Sequence, residues 1–156
     1  MYSLLLNSLG KVRSALSERG LLETVRLCNQ NIVHEARLYV DGAFDRTYGT
    51  DTSGIIPLSS LDIESEHSKD GEFFIATGSR IFTKILQQLP IDYNDFTFVD
   101  YGSGKGRNLL LASHFSFKKV IGVEFSQQLN DIALNNIDIY PSKRKNCQDI
   151  QALNMD

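Results

Sequence analysis

Phe98-Val99-Asp100-Tyr101-Gly102-Ser103-Gly104-Lys105-Gly106-Arg107 is the stretch on which the reading of this chain turns. Phe96 to Val99 is short, aromatic and β-branched, so it predicts a buried strand. Three glycines follow at alternate positions, where the strand should hand over to a helix. Glycine lets the backbone turn sharply there, and lets a ligand approach with no Cβ in the way. Leu109, Leu110, Leu111 and Ala112 then predict a well-buried helix. Lys119 to Glu124 contains Val120, Ile121 and Val123 and predicts a second strand. Ser126 is placed to cap a further helix, with Leu129, Ile132, Ala133 and Ile137 on one face. Gln151 to Met155 is expected to begin a third strand. Strand alternating with helix predicts right-handed βαβ crossovers and a parallel sheet, hence an α/β fold of Rossmann-like type.

Upstream, Ile81, Phe82, Ile85, Leu86 and Leu89 predict an amphipathic helix, with Thr77 or Ser79 as cap and Pro90 as terminator. Residues 41–71 hold Gly42, Gly49, Gly54 and Pro57 with many Ser, Thr and Asp. They read as loops with at most a short helical turn. Tyr48-Gly49-Thr50-Asp51 is weighed as part of a lid against a plain surface connection. From about Ser3 to Val40 the apolar residues Leu5, Leu9, Val12 and Leu16, then Leu22, Val25 and Ile32, recur at helical spacing. The expected organisation is a helical N-terminal extension with loops over 1–71, and a truncated nucleotide-binding domain over 72–156.

The whole chain has 156 residues, 42% hydrophobic and 22% charged, with 16 basic against 19 acidic residues and a net charge of −3. That is enough apolar material for a core, and too little positive charge to point to nucleic acid or an anionic membrane. Cys28 and Cys147 form no CxxC unit, which argues against a disulfide scaffold or a zinc site. The leucines at 4–6 are too few for a signal peptide core or a membrane span. The cytoplasm is the expected location.

Three ligands compete for the glycine loop. A phosphate-binding P-loop needs G-x-x-x-x-G-K-[ST], but Lys105 is followed by Gly106 and position 99 is Val. The dinucleotide fingerprint G-x-G-x-x-G would need its third glycine at 107, which is Arg. A cationic nucleoside fits better. The Asp100 carboxylate would repel a pyrophosphate but suits an ammonium or sulfonium at close range. Glu124, about 20 residues on at the end of the second strand, can accept hydrogen bonds from both ribose hydroxyls. Each residue also has a purely structural reading: Gly104 and Gly106 for tight helix packing, Asp100 as a helix cap, Glu124 as a solvated strand end. Lys105 and Arg107 face solvent or pair with a carboxylate. His114 reads as a structural histidine inside a helix, and Lys143-Arg144-Lys145 as a solvated loop.

Asp100-Tyr101-Gly102-Ser103-Gly104-Lys105-Gly106 resembles motif I, D/E-x-G-x-G-x-G, of class I S-adenosylmethionine-dependent methyltransferases. Val120-Ile121-Gly122-Val123-Glu124 resembles the following strand of that family, with its ribose-binding acid. The resemblance covers roughly residues 72–156. It implies S-adenosylmethionine as cofactor. It assigns Asp100, Gly102 and Gly104 to the methionyl part, Glu124 to the ribose and Phe125 to the adenine. Tyr101, Ser103 and Gly106 complete the loop, and Asp156 falls where the family contacts the adenine amine. Phe74-Ile75-Ala76-Thr77 resembles a Tyr-x-Pro-Thr-like element of the Dot1-like methyltransferases, in which Thr77 would approach the cofactor carboxylate.

In this family the acceptor-side residues commonly follow the fourth strand, in a motif resembling N/D-P-P-Y/F. Pro57, Pro90 and Pro141 are in no such context, so no catalytic residue is assigned. Little or no transferase activity is expected of this chain alone. The methyl acceptor is left open between protein and small molecule. The alternative is a non-catalytic S-adenosylmethionine-binding or interaction module that needs a partner chain.

Overall fold

The computed structural model describes residues 42–61 and 73–155. All of them belong to the compact unit Val40–Asp156. The helical expectation for residues 3–40 lies outside the described residues, and so does Asp156.

The described chain opens with a helical stretch, α1, over residues 42–48. Strand β1 (Ile55–Pro57) pairs antiparallel with β2 (Phe73–Ile75), with Ile55 opposite Ile75 and Pro57 opposite Phe73. Helix α2 (Ser79–Gln87) leads through a 3-10 turn to β3 (Thr97–Tyr101). Then come α3 (Arg107–Ala112), β4 (Lys119–Glu124), α4 (Gln127–Ile139) and β5 (Ile150–Asn154). Strands β3, β4 and β5 form one parallel sheet in that order, with Phe98 beside Val120 and Val120 beside Ile150. This is the Rossmann-like α/β arrangement that the alternation of strand and helix predicts.

Alternation along β4 shows how the sheet is buried. Val120, Gly122 and Glu124 are buried, while Lys119, Ile121 and Val123 between them are only partly so. Successive strand residues point to opposite faces, so one face of the sheet carries the core. Helix α3 packs on β3 and β4, α4 on β4 and β5, and α2 on α3. The buried cluster joins Leu86, Leu109, Ala112, Phe117, Val120, Ala133, Cys147 and Ala152. Leu109 and Val120 are fully buried, and each contributes roughly 1.5–3 kcal/mol of hydrophobic stabilisation.

Local chemistry sets the element ends. The Ser126 hydroxyl accepts the Leu129 N–H at 3.3 Å and caps α4 as expected. Pro141 follows that helix and cannot continue it. Helix α2 starts differently from its expectation. Gly78 is its N-cap, and neither Thr77 nor Ser79 supplies a side-chain cap. The Ser79 hydroxyl is buried without a partner. His114 lies in the turn after α3 rather than inside a helix, where its Nε2 meets the Tyr140 hydroxyl at 2.6 Å. Burial, with the Arg144 charge adding, holds its pKa below the usual 6.5.

Residues 42–61 are the largest departure from the sequence reading. A loop was expected, and the chain instead forms α1, β1 and a 3-10 turn over Leu58–Ser60. Polar side chains bind the segment to the rest of the unit. One Asp45 carboxylate oxygen accepts from the Thr50 and Thr52 hydroxyls at 2.8 and 2.7 Å and from the Thr52 N–H at 2.9 Å. The other accepts the Ser53 N–H at 2.8 Å. Tyr48-Gly49-Thr50-Asp51, weighed as lid or connection, is tied to α4 through Asp51. The Asn136 carboxamide accepts the Asp51 N–H at 2.9 Å and donates to the Asp51 carbonyl at 2.8 Å and to the Lys105 carbonyl at 2.9 Å.

Candidate functional site

The loop between β3 and α3 begins at the carboxyl end of the first parallel strand, the usual ligand position in open α/β sheets. Gly102, Gly104 and Gly106 all have positive φ, at 74°, 52° and 82°. A side chain at Gly102 would meet nothing within 4 Å, so the backbone there is open to an approaching ligand. Gly106 serves packing: a Cβ on it would lie 3.1 Å from the Ala133 Cβ of α4. The structural reading of that glycine therefore holds. Gly104 is covered, because a Cβ on it would come within 2.2 Å of the Phe74 ring.

The loop is held from beneath by Glu124. Its Oε2 accepts the Gly104 N–H at 2.8 Å, and its Oε1 accepts the Ser126 N–H at 2.9 Å. With 3% of its surface exposed, this is a buried acid and not a solvated strand end. One carboxylate thus ties the glycine loop to the start of α4.

Asp100, the penultimate residue of β3, lies close to Glu124. Its Oδ2 accepts from the Asn108 Nδ2 at 3.2 Å. Burial lifts its carboxyl above the ordinary value; the Asn108 hydrogen bond opposes that rise and the nearby Glu124 charge adds to it. The site therefore holds two acids in a poorly solvated corner, and a cation would relieve both.

Beside them lies a cavity of about 200 Å³, lined by the ribbon (Leu58, Phe73, Phe74, Ile75), by Ala76 and Thr77, by Gly102, Ser103, Arg107 and Asn108, and by Glu124, Phe125 and Leu129. It is smaller than the roughly 300 Å³ at which small-molecule pockets commonly begin. Of the residues named from sequence, Thr77, Gly102, Ser103, Glu124 and Phe125 meet on this one wall. Asp100 stands behind it through Asn108. Tyr101 is turned to solvent with 82% of its surface exposed.

Lys105 and Arg107 take the paired alternative, with 5% and 3% of their surfaces exposed. The Lys105 ammonium lies 2.7 Å from Asp51 Oδ1 and 3.1 Å from the Ser53 carbonyl. Arg107 donates through Nε to Thr52 at 2.8 Å and has its Nη2 at 3.6 Å from Asp45. These side chains brace the back of the loop, and neither its glycines nor the spacing of its charges reveals partners more than 50 residues away. Asn108 is a wall residue that the sequence reading missed; it stands in the first turn of α3, eight residues after Asp100, and that spacing is the available signal. Among the described residues no cluster of three or more His, Cys, Asp or Glu could hold a metal ion.

No protein-family profile matches the sequence, and no curated protein is significantly similar to it. Among solved structures, the chain is similar to the methyltransferase domain of bacterial CtHen1-C, at 22% identity over 48% of this chain and 37% of that one, with a TM-score of 0.36. It is also similar to StiE O-MT residues 961–1257, at 18% identity over 60% of this chain and 31% of that one, with a TM-score of 0.38. The chain spans about a third of the length of each.

Proposed function

We propose that this chain is the cofactor-binding part of an S-adenosylmethionine-dependent methyltransferase. The observation that carries the reading is the meeting of Gly102, Ser103, Glu124, Phe125 and Thr77 on one cavity wall, with Asp100 just behind it. The resemblance of Asp100 to Gly106 and of Val120 to Glu124 to the class I methyltransferases supports the same ligand. In this reading Asp100 receives the methionyl end, Gly102 lets the ligand lie against the backbone, and Glu124 and Phe125 meet the nucleoside. Tyr101, Gly104 and Gly106 shape the loop. The part of the resemblance that reaches the Dot1-like enzymes rests on Phe74 to Thr77 alone, and Phe74, Ile75, Ala76 and Thr77 all line the same cavity.

When bound, S-adenosylmethionine supplies a methyl group already activated by a sulfonium. The chain's own contribution is orientation and exclusion of water. The titratable residues on the described wall are Arg107 and Glu124, and both oxygens of Glu124 already accept backbone N–H groups. That engagement favours a binding role over a proton-transfer role, and it is the ground for the second reading, a binding module that acts with a partner chain. The acceptor, protein or small molecule, and a cytoplasmic location belong to the same proposal. Methyl transfer to mixed protein and small-molecule acceptors and fractionation of cells test them.

Equilibrium dialysis with labelled S-adenosylmethionine tests the cofactor assignment. Retention that is displaced by S-adenosylhomocysteine and not by NAD is the expected result. Displacement by NAD, or no retention by folded protein, would overturn it.

A further inference from the structure

The first turn of α3 carries a carboxamide whose oxygen makes no hydrogen bond. Asn108 lines the cavity. Its Nδ2 donates to Asp100 Oδ2 at 3.2 Å. A carboxylate only accepts, so this bond fixes which end of the carboxamide is nitrogen. The oxygen is left as an acceptor, and it is buried without a partner. Buried polar atoms are nearly always paired, so an unpaired acceptor on a residue of the cavity wall indicates a polar ligand.

The charge of the surroundings selects the kind of ligand. Glu124 lines the cavity and Asp100 stands directly behind Asn108, so an anionic group would be repelled there. An ammonium carries three donors and no acceptor. It can bond a carboxylate and a neighbouring carboxamide oxygen together, which matches what Asp100 and Asn108 offer.

Resting on the cofactor reading above, we propose that Asn108 is a binding residue whose carboxamide oxygen accepts the α-ammonium of the ligand's methionyl end beside Asp100, giving the site a preference for nucleosides that carry that group. Asn108 also orients the Asp100 carboxylate through its own N–H bond. The pair reads one feature, a primary ammonium, and is indifferent to the nucleoside.

Two ligands separate this role from a structural one. S-adenosylhomocysteine carries the amino acid end, and 5′-methylthioadenosine lacks it. Calorimetric titration of both into the full chain and its Asn108→Ala variant is the test, with Asn108→Leu used if the alanine variant fails to fold. Asn108→Ala is expected to weaken S-adenosylhomocysteine by roughly tenfold or more, the usual effect of losing a hydrogen bond to a charged group, and to leave 5′-methylthioadenosine within about twofold. Equal loss for both ligands, or no loss for either, would overturn the assignment and leave the cofactor reading standing. Failure of the unaltered chain to bind either ligand would remove the cofactor reading, and this assignment with it.

Discussion

Glu124 accepts the Gly104 N–H at 2.8 Å through one carboxylate oxygen and the Ser126 N–H at 2.9 Å through the other. The acid at the end of β4 therefore fixes the glycine loop and the start of α4 at once. Its burial is tolerated because both oxygens are paired.

A carboxamide cannot accept from two N–H groups lying on opposite sides. Glu124→Gln is expected to lower unfolding free energy by about 1–3 kcal/mol, the usual cost of an unsatisfied buried group. Urea denaturation reads this directly. A variant as stable as the parent would mean that the acid does not hold the loop.

Gly104 is expected to tolerate no side chain. Its φ of +52° alone costs a non-glycine residue about 1–2 kcal/mol, and an added Cβ would sit 2.2 Å from the Phe74 ring. Gly104→Ala should destabilise the chain, and Phe74→Ala in the same chain should recover part of that loss. Strict additivity in the double-mutant cycle would contradict the contact between ring and loop.

Asp45 joins residues 50–53 to Arg107. Burial opposes its charge, but hydrogen bonds from Ser53, Thr52 and Thr50 outweigh that, and the carboxyl lies below its ordinary value. A carboxylate depressed on folding contributes stability above its unfolded pKa of 3.8, and that contribution is lost as pH falls through the lower folded value. Asp45→Ala removes the acceptor of the Thr50, Thr52 and Ser53 hydrogen bonds and should cost about 1–3 kcal/mol. It should also remove this contribution to acid unfolding. Both are read by denaturation across pH.

Asp100 has the opposite sign. Burial raises its carboxyl, so the stability it contributes is present below the unfolded value of 3.8 and lost as pH rises through the raised folded value. Without ligand, Asp100→Asn should therefore be at least as stable as the parent at neutral pH. Affinity for an ammonium-bearing ligand should fall as pH drops through that raised value in the parent, and should be weak and flat in Asp100→Asn. Titration at several pH values checks this, and identical profiles for the two proteins would exclude Asp100 from the ligand.

The sheet was legible because its signals are local. Phe98 and Val99, Val120 to Val123 and the glycines between them announce strand, turn and strand within 30 residues, and Ser126 caps the next helix where its hydroxyl predicts. Residues 42–61 were not legible, because what holds them is remote. Asp45 and Thr52 find Arg107, and Asp51 finds Lys105 and Asn136, across 54 to 85 residues of sequence. The three-residue strands β1 and β2 are too short to show a period of two. Lys105 and Arg107 look like surface charges for the same reason: their burial depends on carboxylates and hydroxyls that no local pattern connects to them. Within the candidate site, glycines and acids were readable by type and spacing. The cover that Phe74 gives Gly104 and the unpaired oxygen of Asn108 exist only in three dimensions.

The central claim is that this cavity takes the S-adenosyl cofactor. Titration of S-adenosylhomocysteine into the chain by calorimetry, with circular dichroism on the same sample to establish that it is folded, tests it most directly. Asp100→Asn is the comparison, because Glu124 is a structural anchor whose loss would confuse binding with folding. Saturable binding at one site, weakened by Asp100→Asn, is the predicted result. A folded chain that takes up no S-adenosylhomocysteine, or binds it equally well without the Asp100 charge, would contradict the claim.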